Sequence, residues 1–328
     1  MKVFDDQYIV ITGGAGFIGS NVIRYLNNQN LFNLIVVDEL GTSEKWKNLV
    51  GKRFLDLLDK SQLFDWLEGR ESQIGAFIHL GACSSTVETD ASYLLENNYR
   101  YSVQLAQYAF NHGQRFIYAS SAATYGDGSL GFSDQEQDLQ SLQPLNMYGY
   151  SKHLFDLWLK NHNLLHKVVG LKYFNVFGPN EWHKERMASA IVRMLPAAQK
   201  EGVVKLFKST EPDLYPDGGQ KRDFIYVKDA AKMTCAFLSN DAHGIYNIGS
   251  GTASTWNELA AAVFKAINRP LKIEYFDMPG DLVGKYQNYT CAEMTKTRNV
   301  LDHIAIPTSL DLAVQDYIQN HLIPGKTW

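Results

Sequence analysis

Three cysteines in 328 residues, Cys83, Cys235 and Cys291, are too few and too scattered for a disulfide framework or a zinc motif. No apolar run approaches the ~18 residues that suggest a membrane-crossing helix. Positive charge is not in excess either: 31 Lys and Arg against 35 Asp and Glu give a formal net charge of -4. That balance excludes a broad field for nucleic acid, so bound phosphates must be held by local cations. Met1-Lys2-Val3-Phe4-Asp5-Asp6 places acids where a secretory signal would turn greasy, and a cytoplasmic protein is expected. His162 and His166 lack a third ligand at a telling spacing and read as a solvated helix end, so no metal is expected. Tandem repeats and low-complexity segments are also missing.

What is present is a 45% hydrophobic composition, enough for a sizeable core, arranged as strand–helix units. Strands are predicted at Tyr8–Thr12, Leu34–Val37, Ala76–Leu80, Phe116–Ser120 and Val168–Phe174, with helices at Phe17–Asn28, Ser92–Asn111 and Tyr148–His162. Apolar strands separated by helices imply an α/β fold, a Rossmann-type doubly wound parallel sheet. The second half is more broken. It is expected to hold a helix at Met187–Lys200, an exposed Pro/Asp/Gly loop over 211–219, a strand at Phe224–Val227, a helix at Lys228–Leu238 and a strand at Ile245–Ile248. Further helices are expected near Trp256–Ile267 and Leu310–Asn320. The division expected is a dinucleotide-binding domain over 1–175, with returning segments about 223–250, and a smaller, discontinuous C-terminal substrate-binding domain over 176–222 and 251–328.

The run Gly13-Gly14-Ala15-Gly16-Phe17-Ile18-Gly19 follows the first strand and opens the first helix. Glycines there let the backbone turn tightly, approach a pyrophosphate and pack helix on strand, while the helix start offers N–H groups to the anion. Asp38 ends the second strand 19 positions past Gly19, where a carboxylate can accept hydrogen bonds from an adenosine ribose. Asp38-Glu39 would repel a 2′-phosphate, whereas Lys45, Lys47, Lys52 and Arg53 could neutralise one, so these residues leave NAD and NADP both open.

Tyr148 and Lys152 are four apart and share a helix face. A phenol with its reference pKa near 10 is a poor base, and the Lys152 ammonium together with a positively charged nicotinamide is expected to lower that value. Tyr148 could then take a hydroxyl proton while hydride leaves the same carbon. Ser121, at the end of the strand Phe116–Ser120, is placed to orient the reacting oxygen, with Thr124 a weaker candidate.

These marks resemble the extended short-chain dehydrogenases/reductases. Finer ones are similar to the ADP-L-glycero-D-manno-heptose 6-epimerase family: Gly81-Ala82-Cys83-Ser84-Ser85-Thr86, Asn97-Asn98-Tyr99, Tyr173-Phe174-Asn175-Val176-Phe177-Gly178-Pro179, His183-Lys184, Met187-Ala188-Ser189, Lys205-Leu206-Phe207, Lys221-Arg222-Asp223-Phe224 and Gly284-Lys285-Tyr286-Gln287. The resemblance implies oxidation at C6″ of an ADP-heptose with bound NADP, then reduction of the transient carbonyl from its other face. It implies Tyr148 as acid/base on one side and Lys184 on the other. Carried over position by position, Gly13, Gly16, Phe17, Ile18, Gly19, Asp38, Glu39, Lys45, Lys60, Leu80, Gly81, Ala82, Cys83, Ser84, Asn97, Lys152, Val176 and Lys184 would meet the cofactor. Ser121, Asn175, Arg186, Arg193, Phe207, Lys208, Ser209, Thr210, Arg222 and Tyr286 would meet the substrate, with the forked donors of Arg222 suited to a pyrophosphate. It also implies a homo-oligomer, commonly a pentamer, that serves lipopolysaccharide synthesis.

The chain departs from that pattern at Glu39, where asparagine is usual, at Leu80, where glutamate is usual, at Arg186 and Arg193, which replace a serine and a histidine, and in a longer 208–220 loop. Two other readings stand beside it. A UDP-hexose 4-epimerase would share every redox residue. A cofactor-binding regulator without chemistry would be free to lose Ser121, Tyr148 or Lys152.

Overall fold

The computed structural model describes residues 7–280 and 287–328, and leaves the side chain of Arg186 outside that description. Its strands are β1 (Tyr8–Thr12), β2 (Leu34–Val37), β3 (Asp56–Leu58), β4 (Ile74–His79), β5 (Arg115–Ser121), β6 (Val168–Tyr173), β7 (Asn175–Phe177), β8 (Val204–Phe207), β9 (Lys221–Tyr226), β10 (Gly244–Ile248), β11 (Ala253–Thr255) and β12 (Ile273–Phe276). Its α-helices are α1 (Phe17–Asn28), α2 (Leu63–Leu67), α3 (Ala91–Leu94), α4 (Tyr101–Asn111), α5 (Met147–Asn161), α6 (Ala190–Lys200), α7 (Val227–Ala236), α8 (Trp256–Ala266), α9 (Thr295–Leu301) and α10 (Leu310–Asp316).

Seven strands form one sheet in the order β10-β6-β5-β4-β1-β2-β3, and every pairing is parallel. The central strands are apolar along their whole length because helices cover both faces. On one face Ile9, Ile11 and Ile78 pack with Val22 and Ile23 of α1 and Ala230 and Met233 of α7. On the other, Val10, Phe77 and Phe116 pack with Leu67 of α2, Leu105 of α4 and Phe155 of α5. The chain winds outward in opposite directions from β1 and β4, so a crevice opens where their carboxyl ends diverge.

A second apolar cluster joins Ile191 and Leu195 of α6, Leu206 of β8, Leu259 and Phe264 of α8, and Val314 of α10. Two small sheets accompany it, β11-β9-β7 and β12-β8. Helix α8 starts with a capping box, Thr255 and Glu258 each bonding the other's backbone N–H.

Several elements differ from the sequence expectation. The predicted strand Phe224–Val227 is longer, Lys221–Tyr226, and pairs in the small sheet rather than the large one. The return to the large sheet is made by α7 and β10. The helix predicted from Met187 begins at Ala190, because Trp182–Met187 forms a separate turn broken by Glu185 at φ 48°. The segment predicted as Ser92–Asn111 starts at Ala91 and widens into a π-helix over Leu95–Arg100.

Asp223 fastens the small sheet to its surroundings. This fully buried carboxylate accepts from Ser250 N (2.6 Å), Ser250 Oγ (2.8 Å), Gly251 N (2.9 Å) and Ala292 N (2.9 Å). Asp223→Ala strands these donors. Urea unfolding is expected to show a loss of about 3 kcal/mol or more; a loss under about 1 kcal/mol would mean that water replaces the carboxylate without cost.

Candidate active site

Strand β1 runs into Gly13 (φ 68°), and α1 begins at Phe17 with Gly16 as its N-cap. Gly16 has no side chain to cap the helix, so the first N–H groups of α1 carry no side-chain partner. The approach is close: a methyl group on Gly19 would lie 2.1 Å from the Gly13 carbonyl oxygen and 2.8 Å from Gly14 Cα. An uncapped helix start beside a glycine cradle at the sheet's switch point fits a dinucleotide pyrophosphate.

At the end of β2 the charges pair among themselves. Asp38 accepts from Ala15 N at 2.8 Å and from Lys45 Nζ at 2.6 Å. Lys60 Nζ meets Glu39 at 2.5 Å and Asn97 Oδ1 at 2.9 Å. Lys45 and Lys60, two of the four lysines expected to meet the cofactor, thus already face a carboxylate. The loop after β4 is held by Leu80 N to Thr12 O (3.0 Å) and Gly81 N to Thr12 Oγ1 (3.1 Å). Ala82 and Cys83 are half-buried and Ser84 is exposed. Asn98, a neighbour of the expected cofactor residue Asn97, accepts from Cys83 N (2.8 Å) and donates to Ser151 Oγ (3.0 Å), joining this loop to α5.

Helix α5 carries Tyr148 in its first turn, capped by the Asn146 side chain accepting from Gly149 N at 2.8 Å. A methyl group on Gly149 would sit 2.8 Å from the Ala123 carbonyl oxygen, so glycine there lets α5 approach the turn after β5. That approach brings the Tyr148 phenol into a hydrogen bond with Ser121. Ser121 Oγ also accepts from Ala123 N at 3.1 Å, which leaves its own hydrogen for the phenol oxygen. Lys152, 2% exposed, lies one turn further along α5.

In the protein alone, burial pushes the Tyr148 phenol above its ordinary value, with the Ser121 hydrogen bond opposing the shift. Burial also lowers Lys152 to about 8, against the pull of Asp156. Desolvation thus acts against the charged form of both groups.

Lys184 lies elsewhere, with its Nζ 5.3 Å from the Phe17 ring at the start of α1. Burial lowers its pKa, and Glu181 opposes. Its neighbour His183 meets Asn48 Nδ2 at 3.1 Å. The structure therefore places Lys184 against the glycine cradle. Phe17 is buried, and Ile18 and Val176 are half-buried near it.

The residues named for substrate are dispersed over the second cluster. Asn175 opens β7 and accepts from Thr290 Oγ1 at 3.3 Å. Arg222 on β9 is 6% exposed, with its guanidinium 5.9 Å from the Trp256 ring. Phe207 ends β8 with its ring 4.9 Å from Phe276, Lys208 pairs with Asp277 at 3.0 Å, and Ser209 N donates to Asp217 at 2.9 Å. Thr210 and Arg193 are exposed. Tyr286 lies outside the described residues, as do Gly284 and Lys285.

A parallel doubly wound sheet, a glycine cradle at its switch point, and Tyr148 beside Ser121 with Lys152 one turn along the same helix are the marks of a nicotinamide-dependent enzyme of the short-chain dehydrogenase kind. Residues 9–249 match the NAD dependent epimerase/dehydratase family, and the chain belongs to that family. It is 48% identical over 316 residues to an ADP-L-glycero-D-manno-heptose-6-epimerase of Nitratidesulfovibrio vulgaris (strain DP4), covering 95% of this chain and 97% of that one. Its fold matches the crystal structure of the Helicobacter pylori ADP-L-glycero-D-manno-heptose-6-epimerase with a TM-score of 0.79 at 28% identity, covering 98% of both chains. It also matches a Thermus thermophilus UDP-glucose 4-epimerase in complex with NAD, with a TM-score of 0.71 at 25% identity over 96% of this chain and 100% of that one.

Proposed function

We propose that this chain inverts C6″ of ADP-D-glycero-D-manno-heptose, giving the L-glycero epimer with no net oxidation. The observation that carries the reading is 48% identity to a heptose epimerase over nearly the whole of both chains. A nicotinamide ring, when bound, supplies the acceptor and the donor of hydride. Tyr148 Oη takes the proton of the C6″ hydroxyl on one side, and Lys184 gives a proton to the carbonyl oxygen when it is reduced from the other. Ser121 Oγ donates to the reacting oxygen and holds it beside the phenol. Lys152 orients the nicotinamide ribose through its ammonium and favours the phenolate. Lys184 is the second acid/base group, whose lowered pKa makes it easier to deprotonate. Residues 1–175 with 223–250 hold the dinucleotide, and 176–222 with 251–328 hold the sugar nucleotide, with Arg222 on the pyrophosphate. The protein works in the cytoplasm as a homo-oligomer.

The test is NMR of ADP-D-glycero-D-manno-heptose after incubation with the purified protein, beside UDP-glucose. Inversion at C6″ of the first alone is the expected result. An unchanged C6″, or inversion at C4 of UDP-glucose, would sink the assignment.

The dinucleotide proposed is NADP. Glu39 occupies Lys60 at 2.5 Å, so Glu39→Asn frees that ammonium and removes a charge that repels a 2′-phosphate. Titration of the apoprotein is expected to show NADP binding about tenfold tighter in the variant, with NAD little changed. An equal gain for both dinucleotides would place Glu39 away from the 2′ position.

A further inference from the structure

We propose that Asp156 and Lys172 are positioning residues for this reaction, a buried ion pair that ties the Ser121 turn to the helix carrying Tyr148 and Lys152. The proposal rests on the epimerase reading for its kinetic arm only.

Asp156 lies one turn after Lys152 and two after Tyr148, on the face of α5 that meets the sheet. Both its oxygens are engaged: Oδ1 accepts from Tyr118 Oη (2.8 Å), and Oδ2 from Ser120 Oγ (2.7 Å) and Lys172 Nζ (2.8 Å). Lys172 stands on β6 in register with Ser120, and neither charged side chain is exposed at all. The Lys172 ammonium also donates to Thr124 Oγ1 and lies 5.0 Å from the Tyr125 ring. Thr124 Oγ1 in turn donates to the Ser121 carbonyl at 2.7 Å. The pair therefore grips the Ser121 turn twice, through Ser120 before it and Thr124 within it, and its carboxylate is anchored on α5. A buried charge pair is an expensive way to gain stability, and apolar residues would fill the same space. What it supplies is a fixed separation between the serine turn and the tyrosine helix, and a negative charge near Lys152. The groups around that lysine are Asp156 and Tyr148 on α5, Lys172 on β6 beyond Asp156, and His79 on β4, which burial keeps neutral with a pKa of about 3. Asp156 pulls Lys152 up toward the charged form.

Asp156→Asn keeps the shape, an oxygen for Ser120 and Lys172 and an amide for the Tyr118 oxygen, but removes the charge. In the holoenzyme its kcat is expected to fall about tenfold with KM within about twofold. The alkaline limb of kcat should move to lower pH by about one unit, since Lys152 loses its proton more readily without the carboxylate. A folded variant with unchanged kcat and limb overturns the proposal. The uncharged double variant Asp156→Asn/Lys172→Gln controls for stability. Recovery of its melting temperature with kcat still low supports positioning, whereas recovery of both shows a merely structural pair and overturns it. Amide hydrogen exchange needs no sugar: Asp156→Asn should speed exchange over residues 120–126 beyond any global change, and equal exchange there also overturns the proposal. Should the wild type invert no ADP-heptose, the epimerase reading fails while the exchange arm still decides this one.

Discussion

Tyr148→Phe is expected to lower epimerase turnover about a thousandfold while the protein keeps its cofactor and its fold. The phenol is the group proposed to move the proton, and a positioned acid/base group contributes about 10² to 10⁴ in rate. The structural loss is small by comparison. The ring stays, and only a hydrogen bond with Ser121 at a half-buried position disappears, which costs about 1 kcal/mol. Single-turnover kinetics, urea unfolding and absorbance of retained dinucleotide separate the three quantities. Ser121→Ala removes the orienting donor without the base and should cost about tenfold to a hundredfold. Turnover of Tyr148→Phe within twofold of wild type would remove the phenol from the mechanism and leave Lys184 to carry the proton chemistry.

The pH response of that site follows from its burial. Lys152 is held down to about 8, so its ammonium is present below that value and is lost as pH rises through it. Tyr148 is pushed the other way, above its ordinary value, and gives no help from the phenolate at neutral pH in the protein alone. In the proposed mechanism the phenol therefore depends on what surrounds it: the helix start of α5, the Ser121 hydroxyl and the charge on Lys152. This balance was invisible in the sequence. Spacing showed that Tyr148 and Lys152 share a face, but not that Lys152 is buried and Tyr148 half-buried.

What the sequence disclosed and what it hid divide along range. β1, α1 and β2 were legible to the residue, because apolar runs and a glycine turn are local signals and both sheet faces are covered. β7, β11 and β12 were not, being three or four residues long and defined only by distant pairing. The allegiance of β9 was missed for the same reason: its apolar pattern suits either sheet, and its pairing with β7 and β11 decides. At the site, Asp156 stood four residues past Lys152 and could have been found by helical spacing. Its partner Lys172 could not, since the register of β6 against β5 is what brings the two together. Spacing likewise offered Lys45 and Lys47 as cations for a phosphate, and only the fold reveals that Asp38 and Glu44 already hold them.

Gly19→Ala is the substitution expected to do the greatest damage to cofactor binding. Its added carbon would fall 2.1 Å from the Gly13 carbonyl oxygen, and both that atom and Gly14 Cα belong to backbone that cannot swing aside. Gly13 is itself fixed from behind, since a carbon added to it would lie 2.6 Å from Gly81 N in the loop after β4. The first turn of α1 must therefore lift away from β1, taking its uncapped N–H groups out of register with a pyrophosphate. Overpacking of this kind costs about 1–3 kcal/mol in stability. Binding should suffer more, falling about a hundredfold or beyond, because a pyrophosphate at this cradle would be held by backbone donors whose direction is set by that turn. Gly16→Ala offers a graded comparison: its carbon would lie 3.1 Å from the same oxygen, a contact that a shift of a few tenths of an ångström relieves. Fluorescence titration of the two apoproteins with NADP and NAD should therefore rank wild type, Gly16→Ala and Gly19→Ala in descending affinity. Dinucleotide retained by Gly19→Ala at wild-type strength would show that the start of α1 is not where the pyrophosphate binds.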